Sequence, residues 1–351
     1  MTEKIAAAVS GGIDSLVAAF ILKRQNFDVT AFHFFTGYES KKKDFIKSEI
    51  TKMLGKINIP VVFIDIEKDF EDKIVSYFKN SYIKGLTPNP CLVCNPLIKF
   101  GLLLEEAEKR GIKKIATGHY VKTIVEENNI FIAKANDSLK DQSYFLSMVP
   151  NTHLKKAVFP IGKLKKTKVK KIADNFGLIP SEKDESQDIC FIKQKNYKKF
   201  LEKDKSLSLK PGNIIDSSGK LIGSHNGVHN FTIGQRKGLN CPGPHPYYVL
   251  KTNPETRTVT AGKKEELLST SLIAENFNWF KDPDNFPFEA EFKIRYSHKG
   301  EKGKIYKLEN NLYKVTFTNP VSSVTPGQGL VIYDEEKIIG AGFIIKKNEK
   351  I

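Results

Sequence analysis

A chain of 351 residues, 40% of them hydrophobic, is long enough for two or three domains with real cores. Its formal charge of +16 favours a polyanionic partner, nucleic acid first, against the plainer reading of lysine-rich usage everywhere. No stretch is apolar enough for a membrane span, four cysteines are not a disulfide framework, and the chain enters a strand at once without a secretory leader, so the expected compartment is the cytoplasm.

The apolar run 5–9 reads as a buried parallel strand, and Leu16, Ala19 and Phe20 recur at helical spacing just beyond it. Between them stands Ser10-Gly11-Gly12-Ile13-Asp14-Ser15. Strand, glycine turn and helix place backbone N–H groups around a phosphate; Gly11 and Gly12 let an anion approach, and Ser10 and Ser15 add hydroxyl donors. No Walker-type lysine accompanies them, which excludes the ordinary P-loop. Asp14 has no place in a plain anion nest unless it holds a cation such as Mg²⁺. The plain alternative is a glycine turn with Ser10 or Asp14 as helix cap. The stretch resembles the PP-loop, SGGxDS, of the ATP pyrophosphatases, which split ATP between the α and β phosphates and adenylate a substrate oxygen.

A second strand is expected over 27–35, with His33 packed rather than catalytic, then a helix over 41–54 and a third strand over 61–65. This alternation predicts an α/β fold with a doubly wound parallel sheet, whose nucleotide site lies at the strands' carboxyl ends, where residues 10–15 fall. Thr87-Pro88-Asn89-Pro90-Cys91-Leu92-Val93-Cys94-Asn95 reads as a rigid non-helical loop with two cysteines three apart, and a helix follows from Lys99 to Arg110. A short strand is expected over 115–120. After residue 163 lysines surround Val169, Ile172, Ala173 and Phe176, a basic helix whose polar face is either solvated or phosphate-contacting. The stretch 186–192 (SQDICFI) is the third landmark, and the lysine-rich 198–210 marks a domain boundary. Beyond it come a glycine-punctuated basic loop over 226–239 and short strands. Ala290, Phe292, Ile294 and Tyr296 alternate with polar residues, as do Tyr313, Val315 and Phe317, which predicts a small C-terminal β-barrel.

The ordered series SGGIDS, TPNPCLVCN, IKFG, ATGHY, KDQSYFL, SQDICFI, FTIGQRKGL and KIRYSH resembles the tRNA-specific 2-thiouridylases (MnmA/TrmU family) nearly end to end. The resemblance implies a PP-loop domain over 1–204, a small central domain with a basic tRNA-facing loop over 205–270, and a C-terminal β-barrel over 271–351. It implies a tRNA-uridine 2-sulfurtransferase that uses ATP and Mg²⁺ to adenylate the C2 oxygen of the wobble uridine and replaces it with sulfur from a cysteine persulfide. Its partners are then tRNA and a sulfur-relay protein or cysteine desulfurase. By the same resemblance Cys94 is the nucleophile, Cys190 carries the persulfide, and a disulfide between them is a product of sulfur release, with Asp14 the third catalytic residue. Ala8, Val9, Ser10, Gly11, Gly12, Ile13, Asp14, Ser15, Phe34 and Gly118 match ATP-contacting positions. Asn89, Pro90 and Cys91 match the stretch beside the target base, and His119, Lys140, Asp141, Gln142, Arg295, Tyr296 and Gln328 match tRNA-contacting positions.

Departures from that pattern matter. Many relatives carry Asp where this chain has Cys91, and the segment before Pro60 lacks the acidic and cysteine residues of the family. Cys91, Cys94 and Cys190 are also a three-thiolate set for an iron–sulfur cluster, so the persulfide and cluster routes both stand. Cys241 reads as a small, partly buried residue, and His225, His229 and His245 lack metal-ligand spacing. A PP-loop amide-forming ligase and a non-catalytic tRNA-binding protein are the rival functions. The first has no need of the separated cysteines, and the second predicts that Asp14 and the cysteines are dispensable.

Overall fold

The computed structural model describes residues 2–180, 189–192, 196–204, 207, 210–243 and 245–346. Residues 186–188 of the SQDICFI landmark and 205–206 and 208–209 of the expected boundary lie outside these.

The first sheet contains β1 (Lys4–Ala8), β2 (Asp28–Phe35), β3 (Val61–Asp65), β4 (Lys114–Ala116) and, after an antiparallel hairpin of β5 (Val121–Glu126) and β6 (Asn129–Lys134), β7 (Ala157–Val158). All five sheet strands are parallel, in the order β3-β2-β1-β4-β7. Residues 5–8 of β1 are apolar because both faces are covered. Ile5 and Ala7 meet the helices α1 (Ile13–Arg24) and α2 (Lys43–Gly55), while Ala6 joins a second core with Phe32, Leu103, Leu104 and Ala107. Also on the first face is α3 (Lys166–Asn175), whose Val169 and Ala173 pack with Leu16 and Val17 of α1. Strand order reverses between β1 and β4, so the loops after these two strands meet at the switch point where such sheets bind ligands.

The cysteine stretch departs from expectation. Pro90–Cys94 is α-helical, not an irregular loop: Asn89 is its N-cap and accepts a bond from the Cys91 backbone N–H at 3.2 Å, and Pro90 occupies the first turn. Asparagine cap followed by proline at the first helical position is a helix-start signal, and its two prolines disguise it as a loop. The helix then widens into a π-helix over Asn95–Leu102 before continuing as Leu103–Glu108. Pro96 has no N–H to offer the carbonyl four residues back and its ring crowds that carbonyl, which accounts for the wider turn. Gly101 tolerates it because a Cβ there would stand 2.9 Å from the Pro96 carbonyl oxygen.

A small central sheet follows, with β8 (Gly212–Ile215), β9 (Leu221–His225), β10 (Tyr248–Asn253) and β11 (Thr258–Gly262) in the order β10-β11-β8-β9. Then β12 (Leu268–Trp279), β13 (Phe288–Lys293), β14 (Glu301–Lys307), β15 (Tyr313–Ser322), β16 (Gly329–Asp334) and β17 (Lys337–Ile344) form a six-stranded barrel, closed where β12 pairs with β17. The alternation expected through Tyr296 keeps its inward residues Phe292 and Ile294 buried, but the strand itself ends at Lys293. The barrel is joined to the first sheet's hairpin. β17 pairs with β6 at Lys337 and Ala133, and Leu92 and Tyr144 share a core with Val331, Tyr333, Ile338 and Ala341. No helix among the described residues is long and apolar enough to cross a membrane.

Candidate functional site

Gly11 takes φ +89°, a left-handed conformation that favours glycine, and Gly12 is the N-cap of α1 without any side-chain capping bond. Neither Ser10 nor Asp14 therefore caps the helix. The hydroxyls instead lock the loop: Ser15 Oγ donates to the Gly12 carbonyl at 2.8 Å and accepts from the Ser10 backbone N–H at 3.2 Å. The helix start keeps its N–H groups uncapped by side chains, the arrangement an anion requires. Asp14, in the first turn, is held from two directions. Lys166 Nζ of α3 lies 2.8 and 2.7 Å from its two carboxylate oxygens, and Tyr120 donates its hydroxyl to Oδ1 at 2.7 Å. One carboxylate completed by phosphate oxygens and water is the usual magnesium donor set, and Asp14 fits it once its lysine partner yields.

Gly118 follows β4 and presses on the same turn. A Cβ there would stand 2.8 Å from the Asp14 carbonyl carbon and 2.8 Å from the Ser15 nitrogen, so only glycine allows the two loops to touch. Its neighbour His119 points the other way, toward the cysteine helix. His119 is buried, its Nδ1 is 2.8 Å from Thr117 Oγ1, and its Nε2 is 3.3 Å from Lys99 Nζ. Burial, reinforced by the Lys99 charge, holds the ring well below its usual pKa, so it is neutral. An ammonium only donates, so Nε2 accepts from Lys99 and Nδ1–H donates to Thr117.

Lys99 lies on the helical run that carries the thiols. Its charge opposes the rise in thiol pKa at Cys91, Cys94 and Cys190, so all three lie within its field. Burial dominates each: it pushes Cys94 up to about 12 and raises Cys91 and Cys190. Cys190 keeps a solvent-accessible face while protein packs around its other sides. Its segment is anchored by Phe191, whose ring lies 5.3 Å from Phe78, 5.5 Å from Phe200 and 5.8 Å from Phe70, centroid to centroid. Such aromatic burial is worth about 1.5–3 kcal/mol, with about 0.5–1.5 kcal/mol more per well-oriented pair. Cys94 and Val93 pack against the same cluster as Ile189, Phe191 and Ile192, so Cys94 and the segment that carries Cys190 are brought to one place. Among the described residues no group of three or more His, Cys, Asp or Glu side chains is arranged to hold a metal ion.

The remaining expected positions divide by what their side chains do. Phe34, near the end of β2, lies between the two cores nearest the site. Asp141 accepts from the Ala135 and Ser143 backbone N–H groups and from the Ser143 hydroxyl, which folds its own loop. Gln142 Oε1 accepts from the Tyr120 N–H at 2.9 Å, and Gln328 donates to the Thr87 carbonyl at 2.9 Å. Arg295 donates to the Ser322 carbonyl at 3.0 Å, half-buried. Tyr296 is exposed and lies 4.5 Å from the Phe145 ring, and Lys140 sits at intermediate exposure beside the same loop. His33 is packed as expected, 2.8 Å from the Val9 carbonyl. Cys241, as expected, is partly buried. Lys166, Tyr120 and Lys99 were not among the expected site residues, although the missing Walker lysine and the ATGHY and IKFG motifs pointed to them.

A doubly wound sheet with a PP-loop at its switch point, cysteines gathered beside it, and an appended central sheet and barrel define a PP-loop nucleotide-binding protein built for more than nucleotide binding. Three family models match in order: tRNA methyl transferase HUP domain over residues 3–194, tRNA methyl transferase PRC-barrel domain over 198–263, and Aminomethyltransferase beta-barrel domain over 269–344. Among curated relatives, the tRNA-specific 2-thiouridylase MnmA of Desulfosudis oleivorans is 39% identical over 97% of this chain and 94% of its own length. Its namesake in Treponema denticola is 40% identical over 97% of each chain, and MnmA 2 of Clostridium botulinum is 39% identical over 97% of this chain and 98% of its own. The chain belongs to the tRNA-specific 2-thiouridylase family.

Proposed function

We propose that this chain is a tRNA-uridine 2-sulfurtransferase. One observation carries the reading: the segment Thr117-Gly118-His119-Tyr120 touches the PP-loop with Gly118 and Tyr120 and the lysine beside the cysteines with His119. An ATP site and a sulfur site are thus held by four consecutive residues, and thiolation by oxygen activation needs both within reach of one atom. The relatives named above, tRNA-specific 2-thiouridylases by name, support the same activity and its tRNA substrate.

A uracil carbonyl is a poor electrophile with a poor leaving group. Attack of the C2 oxygen on the α-phosphorus of ATP expels pyrophosphate and leaves an O-adenylated uridine, from which AMP can depart. The uncapped start of α1 binds phosphate, and Asp14 would hold Mg²⁺, which supplies charge neutralisation at the phosphates when bound. A sulfur donor of persulfide chemistry loads Cys190, whose accessible face suits a relay partner. The terminal sulfur attacks C2 and AMP leaves with the C2 oxygen. The Cys94 thiolate then attacks Cys190 Sγ, the bond between Cys190 and the transferred sulfur breaks, and the electron pair goes to that sulfur. The products are 2-thiouridine and a Cys94–Cys190 disulfide, which an external dithiol reduces. Asn89, Pro90 and Cys91 flank the base, while Lys140, Arg295 and Tyr296 serve the RNA backbone and a stacked base. The division at 204/205 and 270/271 belongs to this proposal, with the barrel as the RNA-facing unit.

The test is nucleoside mass spectrometry of tRNA incubated with the protein, ATP, Mg²⁺ and a persulfide donor. 2-Thiouridine appearing only when ATP is present is the expected result. ATP–pyrophosphate exchange stimulated by an amino acid or mononucleotide, with no thionucleoside formed, overturns it in favour of an amide-forming ligase.

A further inference from the structure

The loop over residues 10–15 carries no cation, and the nearest lysine in the following helix is Lys23, in its last turn. A triphosphate bound at that helix start brings several negative charges and, unlike in a P-loop, meets no lysine from the loop itself. The structure supplies one from 152 residues further on. Lys166, only 8% exposed, is the first residue of α3, and its Nζ chelates both oxygens of Asp14 from within reach of the helix start. Its position is fixed independently of that contact. The Lys166 backbone N–H donates to Asp137 Oδ2 at 2.8 Å, and Val169 and Ala173 on the same helix are fully buried against α1. The ammonium also lies 5.9 Å from the centroid of the Tyr120 ring, whose hydroxyl completes the grip on Asp14.

Two features make this pair something other than a structural ion pair. Asp14 remains 34% exposed while its lysine partner is nearly covered, so the carboxylate opens toward the loop and the ammonium stands behind it. The same carboxylate is the one acidic side chain in the first turn of a helix that needs its N-terminus for phosphate. With the lysine on it, the loop's negative charge is cancelled and an anion can approach.

We propose that Lys166 is the phosphate-reading cation of this PP-loop, parked on Asp14 until ATP arrives. This rests on the ATP-site reading above. The β and γ phosphates then compete with Asp14 for the ammonium, and the carboxylate is released to the cation that accompanies ATP. One lysine thereby screens the empty loop and neutralises the leaving pyrophosphate.

The experiment is calorimetric binding of α,β-methylene-ATP and of adenosine, without tRNA, to the full chain and to Lys166→Met, Lys166→Arg, Asp14→Asn and the Asp14→Asn/Lys166→Met double variant. We expect Lys166→Met to weaken the triphosphate about 10- to 100-fold, Lys166→Arg to recover most of that loss, and adenosine affinity to stay within about twofold throughout. The decisive comparison is the double variant. If Lys166 only neutralises Asp14, its replacement costs nothing once Asp14 is already uncharged. If it reads phosphate, Lys166→Met still weakens the triphosphate at least tenfold in the Asp14→Asn background. Equal triphosphate affinity in Asp14→Asn and the double variant overturns the inference while leaving the ATP site intact. Matched losses for adenosine and triphosphate also overturn it, because they report a disturbed fold. A wild-type chain that binds no ATP analogue overturns the ATP-site reading, and this inference with it.

Discussion

Gly118→Ala tests whether the contact between the loops after β1 and β4 sets the ATP geometry. The added Cβ would meet the Asp14 carbonyl carbon at 2.8 Å, the Ser15 nitrogen at 2.8 Å and the Asp14 carbonyl oxygen at 2.9 Å. These are backbone atoms, so no rotamer change relieves the clash, and reaching the 3.4 Å at which ordinary contact begins needs a retreat of about 0.6 Å. Overpacking of this kind costs about 1–3 kcal/mol of stability. The functional loss is larger, because misplacement by about 1 Å costs on the order of 10²-fold in a reaction governed by positioning, and sites tolerate only about 0.5 Å. We expect kcat/KM for ATP to fall about 10- to 100-fold in a thiolation assay, with a modest fall in melting temperature. Gly55→Ala is the control: at the end of α2, a Cβ there meets nothing within 4 Å. Wild-type ATP kinetics in Gly118→Ala, with the fold intact, would refute the claim that this contact positions the loop.

Three further outcomes follow from the same geometry. Asp14→Asn should leave tRNA affinity within about twofold but lower thiolation on the order of 10²-fold, since it removes one preorganised charge at the phosphates; full activity at saturating ATP and Mg²⁺ contradicts the role. Iodoacetamide should label Cys190 before Cys94 at pH 8, because Cys190 is the accessible one. With the Cys94 thiol raised to about 12 by burial, the thiol is the stable form at neutral pH and the reactive thiolate accumulates as pH rises, so its labelling rate should still be climbing at pH 10; a plateau below pH 8 would show that Lys99 outweighs burial. Arg295→Ala should weaken tRNA binding and reduce the salt slope by about one, read from affinities at several salt concentrations, and an unchanged slope removes that residue from the RNA contact.

The legibility of this chain in its sequence depends on the range of the interaction. The PP-loop is local: strand, turn and helix lie between Lys4 and Arg24, and Gly11 and Gly12 take the places the motif requires. The parallel sheet was legible because residues 5–8 of β1 and most of β2 are apolar. The cysteine helix was misread for a local reason, since asparagine and proline signal a turn as readily as a capped helix start. The π-helical turn has no residue pattern of its own beyond Pro96 and Gly101. Lys166 was hidden differently. Among the lysines of α3 and its approach it has no distinguishing neighbour in sequence, and only the packing of Val169 and Ala173 on α1 turns that one ammonium inward. The union of β17 with β6 is likewise invisible locally, because it joins segments some two hundred residues apart.

That union bears on what the barrel does. Thr87, which opens the cysteine stretch, donates its backbone N–H to the Pro326 carbonyl at 2.9 Å and accepts from Gln328 Nε2 at 2.9 Å. Gly327, at φ +92°, favours glycine, and a Cβ there would crowd the Thr87 backbone at 3.1 Å, while Tyr144 donates its hydroxyl to the Gly329 carbonyl at 3.0 Å. The barrel therefore braces the helix that carries Cys91 and Cys94. The resemblance implies a tRNA contact for Gln328, yet its Nε2 donates to that brace. Gln328→Ala separates the two roles. Deleting the donor leaves a partly buried carbonyl without this partner, at about 1–3 kcal/mol, enough to slow a positioning-dependent step on the order of tenfold. If the residue is a brace, single-turnover sulfur transfer slows while the tRNA dissociation constant and its salt dependence hold. If it is an RNA contact, affinity falls and the rate from the bound complex is unchanged, and that second pattern would refute the bracing role.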